Sequence, residues 1–212
     1  MKHSSVETEP PVAEELCGDG IDRIRRFTHA LATNGETLGL IGPDEAARIW
    51  TRHIMNCALL APEIPTGSRV ADVGSGAGLP GIVLAILRPD SQFVLIEPLE
   101  RRTRWLREQV AELDLDNVIV FTGRAEDYPE QHSFTVVTAR AVKALKGLIP
   151  WLEPLAVDGG RIVLLKGQRV DDEIAEAAVI IARHSLVNVS SSVLGEGKVS
   201  EPTRLFAATV ER

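Results

Sequence analysis

The chain has 212 residues, 44% hydrophobic and 25% charged, which suits one well-buried α/β domain with an appendage and excludes two full domains. Thirty acidic against twenty-three basic side chains give a formal net charge of −7, which argues against indiscriminate binding to polyanions. A nucleic-acid ligand therefore requires a local basic face, and no apolar run approaches a membrane span.

Met1 to about Pro11 is polar, acidic and closed by proline, and is expected to be a disordered tail. Its MKHSSVETEP start lacks the apolar stretch of a signal peptide, so the chain is expected in the cytoplasm. Between Val12 and Thr33, the spacing of Leu16, Ile21, Ile24, Phe27 and Leu31 predicts one or two helices, with Arg23, Arg25 and Arg26 on a solvated face. After the break NGETLGLIGP, a helix is predicted from Pro43 to about Leu60. Its apolar stripe is Ala46, Ile49, Trp50, His53, Ile54, Cys57 and Leu60. On that stripe His53 reads first as a hydrogen-bonded core histidine, with a functional role as the alternative. Cys17 and Cys57 form no C-x-x-C, and the five histidines are scattered without ligand spacing, so no metal is expected.

A strand over Arg69 to Val73 then breaks into a glycine turn: Val70 to Gly81 reads VADVGSGAGLPG. Leu79, Ile82, Val83 and Ile86 follow at helical spacing, predicting a helix from Leu79 to Arg88 that Pro89 ends. A strand, a glycine turn and a helix N-terminus expose backbone N–H groups and a positive dipole end to a polar or anionic cofactor group. Two spellings coexist. Gly76, Gly78 and Gly81 fit the dinucleotide pattern G-x-G-x-x-G, whereas Asp72, Gly74, Gly76 and Gly78 fit D-x-G-x-G-x-G, the pattern of S-adenosylmethionine-dependent methyltransferases. The second is favoured because the acid lies inside the strand, where it could hold a cofactor amine or orient the loop. A nicotinamide enzyme would also need a catalytic domain for which little chain is left.

A second strand, Gln92 to Ile96, closes on Glu97, placed where a ribose diol is held in both cofactor classes. The helix LERRTRWLREQVAEL follows, with Arg101, Arg102, Arg104 and Arg107 in its first turns. They form either a solvated face or a phosphate-contacting edge beside the cofactor turn. Strands are predicted over Asn117 to Thr122, Phe134 to Thr138 and Arg161 to Leu165, and helices over Leu145 to Leu155 and Asp171 to His184. Leu186 to Val193 and Arg204 to Val210 read as a closing pair, the last strand antiparallel. In such a sheet Ala125 and Glu126 would approach an adenine ring, and Arg140, just past the fourth strand, would face cofactor and substrate.

Taken in order, RHIMNCALL, DVGSGAGLPG, GRAED, TARAV and LLKG resemble the bacterial 16S ribosomal RNA guanine-N7 methyltransferase G family, also called the glucose-inhibited division protein B family. The resemblance runs from about Arg23 to Lys166. It implies a doubly wound class I S-adenosylmethionine-dependent methyltransferase sheet, Rossmann-like, with N-terminal helices: an extension over 12–66 forming a single unit with a methyltransferase domain over 67–212. It also implies S-adenosyl-L-methionine as cofactor and methylation at N7 of a guanine in 16S ribosomal RNA (guanine 527, 530 loop). The expected enzyme is a monomer acting on the RNA, the small ribosomal subunit or its assembly intermediate.

By resemblance, cofactor contacts fall on Gly74, Leu79, Ala125, Glu126 and Arg140; the residue-level reading adds Gly76, Gly78 and Glu97. RNA-binding positions fall on Arg102, Arg124, Arg140 and Lys166, with Arg101 added from the helix cluster. Arg140 is the first choice for positioning the substrate, and no general base is expected, because guanine N7 carries a lone pair and no proton. The chain departs from the family's usual pattern at Asn56-Cys57, where many members have Asp-Ser, and at Arg101-Arg102, where many have two lysines. A small-molecule methyltransferase and a non-catalytic nucleotide-binding ribosome-assembly protein are the alternatives.

Overall fold

Side chains alternate along β1 (Arg69–Val73): Val70 enters one hydrophobic cluster while Ala71 and Val73 enter the other, so the strand is buried on both faces. The computed structural model describes residues 6–140 and 143–212; Ala141 and Val142 of the TARAV stretch, and Met1 to Ser5 of the expected tail, lie outside the described residues. β2 (Gln92–Glu97), β3 (Val118–Thr122), β4 (Phe134–Arg140) and β5 (Ala156–Lys166) extend β1 as a parallel sheet. A final hairpin, β6 (Leu186–Leu194) and β7 (Thr203–Val210), joins it through an antiparallel β5–β7 pairing. The seven strands lie in the order β3-β2-β1-β4-β5-β7-β6. Strand order reverses between β1 and β4, and the crevice outside their carboxyl ends is where an open α/β sheet takes its ligand.

Helices α1 (Val12–Cys17) and α2 (Ile21–Asn34) share their core with α4 (Gly81–Leu87), α5 (Glu100–Glu112) and the Val70 face of the sheet. Phe27, Ile24 and Leu31 of α2 are fully buried there, so the N-terminal helices cover the sheet rather than standing apart. The opposite face carries α6 (Leu145–Leu152), α7 (Val170–Glu176) and α8 (Ala178–Arg183). Among the described residues no helix is long and apolar enough to cross a membrane, and no group of three or more His, Cys, Asp or Glu could hold a metal ion.

Three local expectations are corrected. From Glu7 onward the supposedly disordered tail is tied down: the Glu7 amide donates to Ala46 O at 3.0 Å. Its carboxylate accepts the Trp50 and Thr51 amides at 2.8 and 3.0 Å, and Glu9 pairs with Arg25 at 2.8 Å. The acids that resemble a solvated tail are thus a remote helix cap and an ion-pair partner. Second, the helix expected over Pro43 to Leu60 is a 3-10 turn (Glu45–Arg48), then a π-helix (Ile49–Met55), then a single turn, α3 (Asn56–Ala58). The stripe Ile49, Trp50, His53, Ile54, Cys57 and Leu60 is still buried, but the wider π turn re-aims what flanks it. Third, β5 begins at Ala156, and the helix expected over Asp171 to His184 divides at Ala177 into α7 and α8.

Candidate cofactor and substrate site

The turn after β1 is fastened on both sides. The Gly74 and Ser75 amides donate to Ile96 O of β2 at 2.8 and 3.3 Å, and the Gly78 amide donates to Ser75 O at 2.7 Å. Asp72, fully buried, accepts the Gly81 amide on Oδ2 at 3.1 Å, while its carbonyl accepts the Ser75 hydroxyl at 2.8 Å. Of the two roles open to this acid, it performs the orienting one: it joins the end of β1 to the start of α4. The helix starts at Gly81 rather than Leu79, with Pro80 as its cap residue.

Burial raises the Asp72 carboxyl to about 7, only partly opposed by the bonds from Ser75 and Gly81. An unfolded aspartate titrates near about 3.9, so the folded state holds this proton longer; the stability it confers is complete below that value and is lost as pH rises through about 7. Asp72→Asn keeps an oxygen for the Gly81 amide and removes the titration. Its Tm is expected to fall less between about pH 5 and 8 than that of the unaltered chain. Equal slopes in a thermal melt series would refute the assignment.

Gly76 forms the floor of the site. Its φ is 52°, and a Cβ there would project beside the Arg102 guanidinium, 3.9 Å from Nη1, narrowing the space above the turn. Glu97, 2% exposed at the end of β2, accepts the Gly76 amide on Oε2 and the Leu99 amide on Oε1, each at 3.0 Å. The carboxylate is thereby fixed in orientation while each oxygen retains accepting capacity. Beside it opens a cavity of about 570 Å³, lined among others by Gly74, Glu97, Arg102, Ala125, Glu126 and Arg140. Ala125 is buried and Glu126 exposed at its rim. Trp151 of α6, under the Lys143 ammonium at 3.2 Å, lines the same cavity, a role that helical periodicity does not reveal.

A second cavity of about 390 Å³ adjoins the first across the turn; Gly74, Arg102 and Arg140 line both. Its other walls include Gly76, Leu79, Glu45, Arg52 and His53. Arg140, at the carboxyl end of β4, donates from Nη2 to His53 Nδ1 at 2.8 Å and to Arg52 O at 3.2 Å. Gly78 alone among the expected cofactor glycines is turned away from both cavities: a Cβ there would meet Ile82 Cδ1 at 2.7 Å and Phe27 Cζ at 3.2 Å, so it serves packing.

The expected RNA-binding residues separate into three groups. Arg101 is exposed, its Nη2 3.3 Å from where a Cβ of Gly39 would stand, and Arg124 is exposed at the lip of the first cavity. Arg102 belongs to the site itself: Nη1 lies 3.7 Å from Glu97 Oε2, and its buried Nε has no hydrogen-bond partner. Lys166 corrects the expectation. Its side chain is only 10% exposed, paired with Glu173 at 2.7 Å and donating to Lys143 O at 3.1 Å, so it anchors the chain after β4 instead of facing a ligand.

The family model described as rRNA small subunit methyltransferase G matches residues 21–200. The chain belongs to that family. A ribosomal RNA small subunit methyltransferase G from Clavibacter sepedonicus is 51% identical over 209 residues, 99% of each chain, and one from Leifsonia xyli subsp. xyli is 52% identical over 206 residues, 97% of this chain and 98% of the relative. Among solved structures, M. jannaschii TYW2 in complex with AdoMet superposes with a TM-score of 0.60 at 17% identity, covering 77% of this chain and 78% of that one. The tRNA (m1A58) methyltransferase TrmI from Aquifex aeolicus gives 0.58 at 14%, covering 74% and 68%. These structural likenesses establish the fold, that of class I methyltransferases.

As a member of the methyltransferase G family, the chain is an S-adenosylmethionine-dependent methyltransferase, and its cavity fits that cofactor. The buried, bridled Glu97 presents a carboxylate to the larger cavity, and in the adjoining one the bare Gly76 leaves space that a side chain would occupy. Glu97→Ala is expected to weaken S-adenosylmethionine binding by roughly 30- to 100-fold in calorimetry, the scale of hydrogen bonds to a charged group. An unchanged Kd would remove Glu97 from the cofactor site.

Proposed function

We propose that this methyltransferase modifies N7 of a guanine in small-subunit ribosomal RNA, with the cofactor in the larger cavity and the target base entering beside Arg140. The relatives that it matches over nearly their full length are named for small-subunit ribosomal RNA, which supports the substrate class. The observation that carries the choice of atom is the state of His53. It is the one imidazole lining either cavity among the described residues, and both its ring nitrogens are already bonded, to Glu45 and to Arg140. The carboxylates deeper in the walls are committed as well, Glu45 to His53 and Glu97 to the Gly76 and Leu99 amides, with Glu126 exposed at the rim; this supports a nucleophile that has no proton to lose.

When bound, S-adenosylmethionine supplies a methyl group on a positively charged sulfur. Arg140 and Arg102 line both cavities, which supports their donating to the guanine O6 edge and to phosphate oxygens. Holding N7 in line with the methyl supplies the catalysis: such alignment is worth roughly 7–11 kcal/mol of a barrier. N7 lies in the deep, narrow groove of an A-form helix, so the target is a loop nucleotide or one that is unstacked on binding. Arg101 and Arg124 form the outer basic edge. Because the net charge is −7, we infer that RNA shape, in a partly assembled small subunit, provides the specificity. The enzyme acts as a monomer in the cytoplasm, with the N-terminal helices and the sheet, which share one core, working as one unit.

Methyl transfer from labelled S-adenosylmethionine to unmodified small-subunit particles, to the same RNA stripped of protein, and to bulk transfer RNA tests this reading. Label confined to small-subunit RNA is expected, and equal labelling of transfer RNA would overturn it. A small-molecule substrate would leave all three RNAs unlabelled.

A further inference from the structure

Arg140 is a long side chain at the end of a strand, and its usefulness depends on where its guanidinium is held. His53 holds it. Because Nη2 of Arg140 donates to His53 Nδ1 at 2.8 Å, that nitrogen carries no proton, and the ring's proton lies on Nε2. Nε2 in turn donates to Glu45 Oε2 at 2.5 Å. A charge relay in space results: carboxylate, neutral imidazole, guanidinium, running from the 3-10 turn through the π-helix to the end of β4. Further bonds from the same guanidinium to Arg52 O, His53 O and Cys57 Sγ, at 3.2, 3.5 and 3.5 Å, fix its plane.

We propose that His53 is a positioning residue for methyl transfer: Glu45 fixes it as the Nε2–H tautomer, and its Nδ1 lone pair orients Arg140 between the two cavities. The proposal rests on the reading of Arg140 as the group that meets the target base. Both its nitrogens are committed to charged side chains at a cavity wall, and the side chain it holds, Arg140, lines both cavities. The charged groups facing the ring are Glu45 from the preceding turn, Arg52 beside it and Arg140 from β4. Burial first, and the Arg140 charge second, lower the ring's pKa to about 4, so it stays neutral under working conditions. An imidazolium has no lone pair and would release Arg140; neutrality is thus a condition of the arrangement.

Nitrogen-15 NMR of the full-length protein reads the tautomer directly. His53 is expected with Nε2 protonated and Nδ1 bare at about pH 7, unchanged down to about pH 5.5; an Nδ1–H tautomer or an imidazolium would overturn the proposal. A double-mutant cycle supplies the functional arm. His53→Leu is expected to lower kcat roughly 10- to 50-fold, while in an Arg140→Lys background the same change costs less than about threefold, because its partner is already lost. Additive losses would overturn it. His53→Asn places an amide oxygen near the position of Nδ1 and is expected to recover most of kcat; a variant as poor as His53→Leu would count against the relay. If the unaltered enzyme methylated no RNA, the proposed function would fail, while the tautomer measurement would still decide the relay.

Discussion

Arg140→Ala is expected to lower kcat/KM for methyl transfer to small-subunit RNA by roughly 10²- to 10³-fold, about 3–4 kcal/mol of transition-state stabilisation. The guanidinium is shared by both cavities, and its removal leaves His53 Nδ1 without its donor. Arg140→Lys keeps the charge but loses the planar fork that reaches His53 Nδ1 and the Arg52 carbonyl together, so a loss of at least about tenfold is expected there too. Steady-state kinetics on both variants, with thermal melts to verify folding, provide the check. A lysine variant with full activity would reduce Arg140 to a point charge.

Gly81→Ala is expected to damage both stability and cofactor binding through a single methyl group. A Cβ at Gly81 would be driven into Leu95 Cδ2 and would stand 2.5 Å from Asp72 Oδ2, the atom that accepts the Gly81 amide. Both neighbours are fully buried, so neither can move aside cheaply. Overpacking of this kind costs about 1–3 kcal/mol, which lowers Tm by several degrees in a chain of this size. Because Asp72 joins β1 to α4, the turn shifts as well, and S-adenosylmethionine affinity is expected to fall at least about tenfold. Differential scanning calorimetry with and without cofactor reports both effects; a variant with unaltered Tm and Kd would show that the turn tolerates displacement.

The sheet and the cofactor edge are legible from the residues because strand period, glycine spacing and an acid at a strand end are local signals. They place Gly74, Gly76, Glu97 and Arg140 together without knowledge of any long-range contact. Lys166 occupies an equivalent strand-end position, yet it turns to Glu173 of α7, a contact that no spacing rule encodes. The link between Glu45 and His53 is hidden for a different reason. The two residues are eight apart in sequence, and along a continuous α-helix that separation is roughly 12 Å of rise. Between the 3-10 turn and the π-helix Arg48 leaves helical geometry, φ −135° and ψ 22°, and the two side chains meet with Nε2 2.5 Å from Oε2; helical periodicity carries no sign of it. Glu7 and Glu9 are hidden by composition: acids near a terminus resemble a solvated tail until their partners, the amides of Trp50 and Thr51 and the Arg25 side chain, are in view.

The central claim, that a site with its imidazole already committed transfers a methyl group to a nitrogen bearing no proton, is tested most directly by the chemistry of the product. Small-subunit RNA methylated by the enzyme is reduced with borohydride and treated with aniline, which breaks the chain at N7-methylguanine. One new strand break at a single guanine, absent from RNA treated with Arg140→Ala, is the predicted result. Label incorporated into that RNA with no such break would place the methyl on another atom and contradict the account.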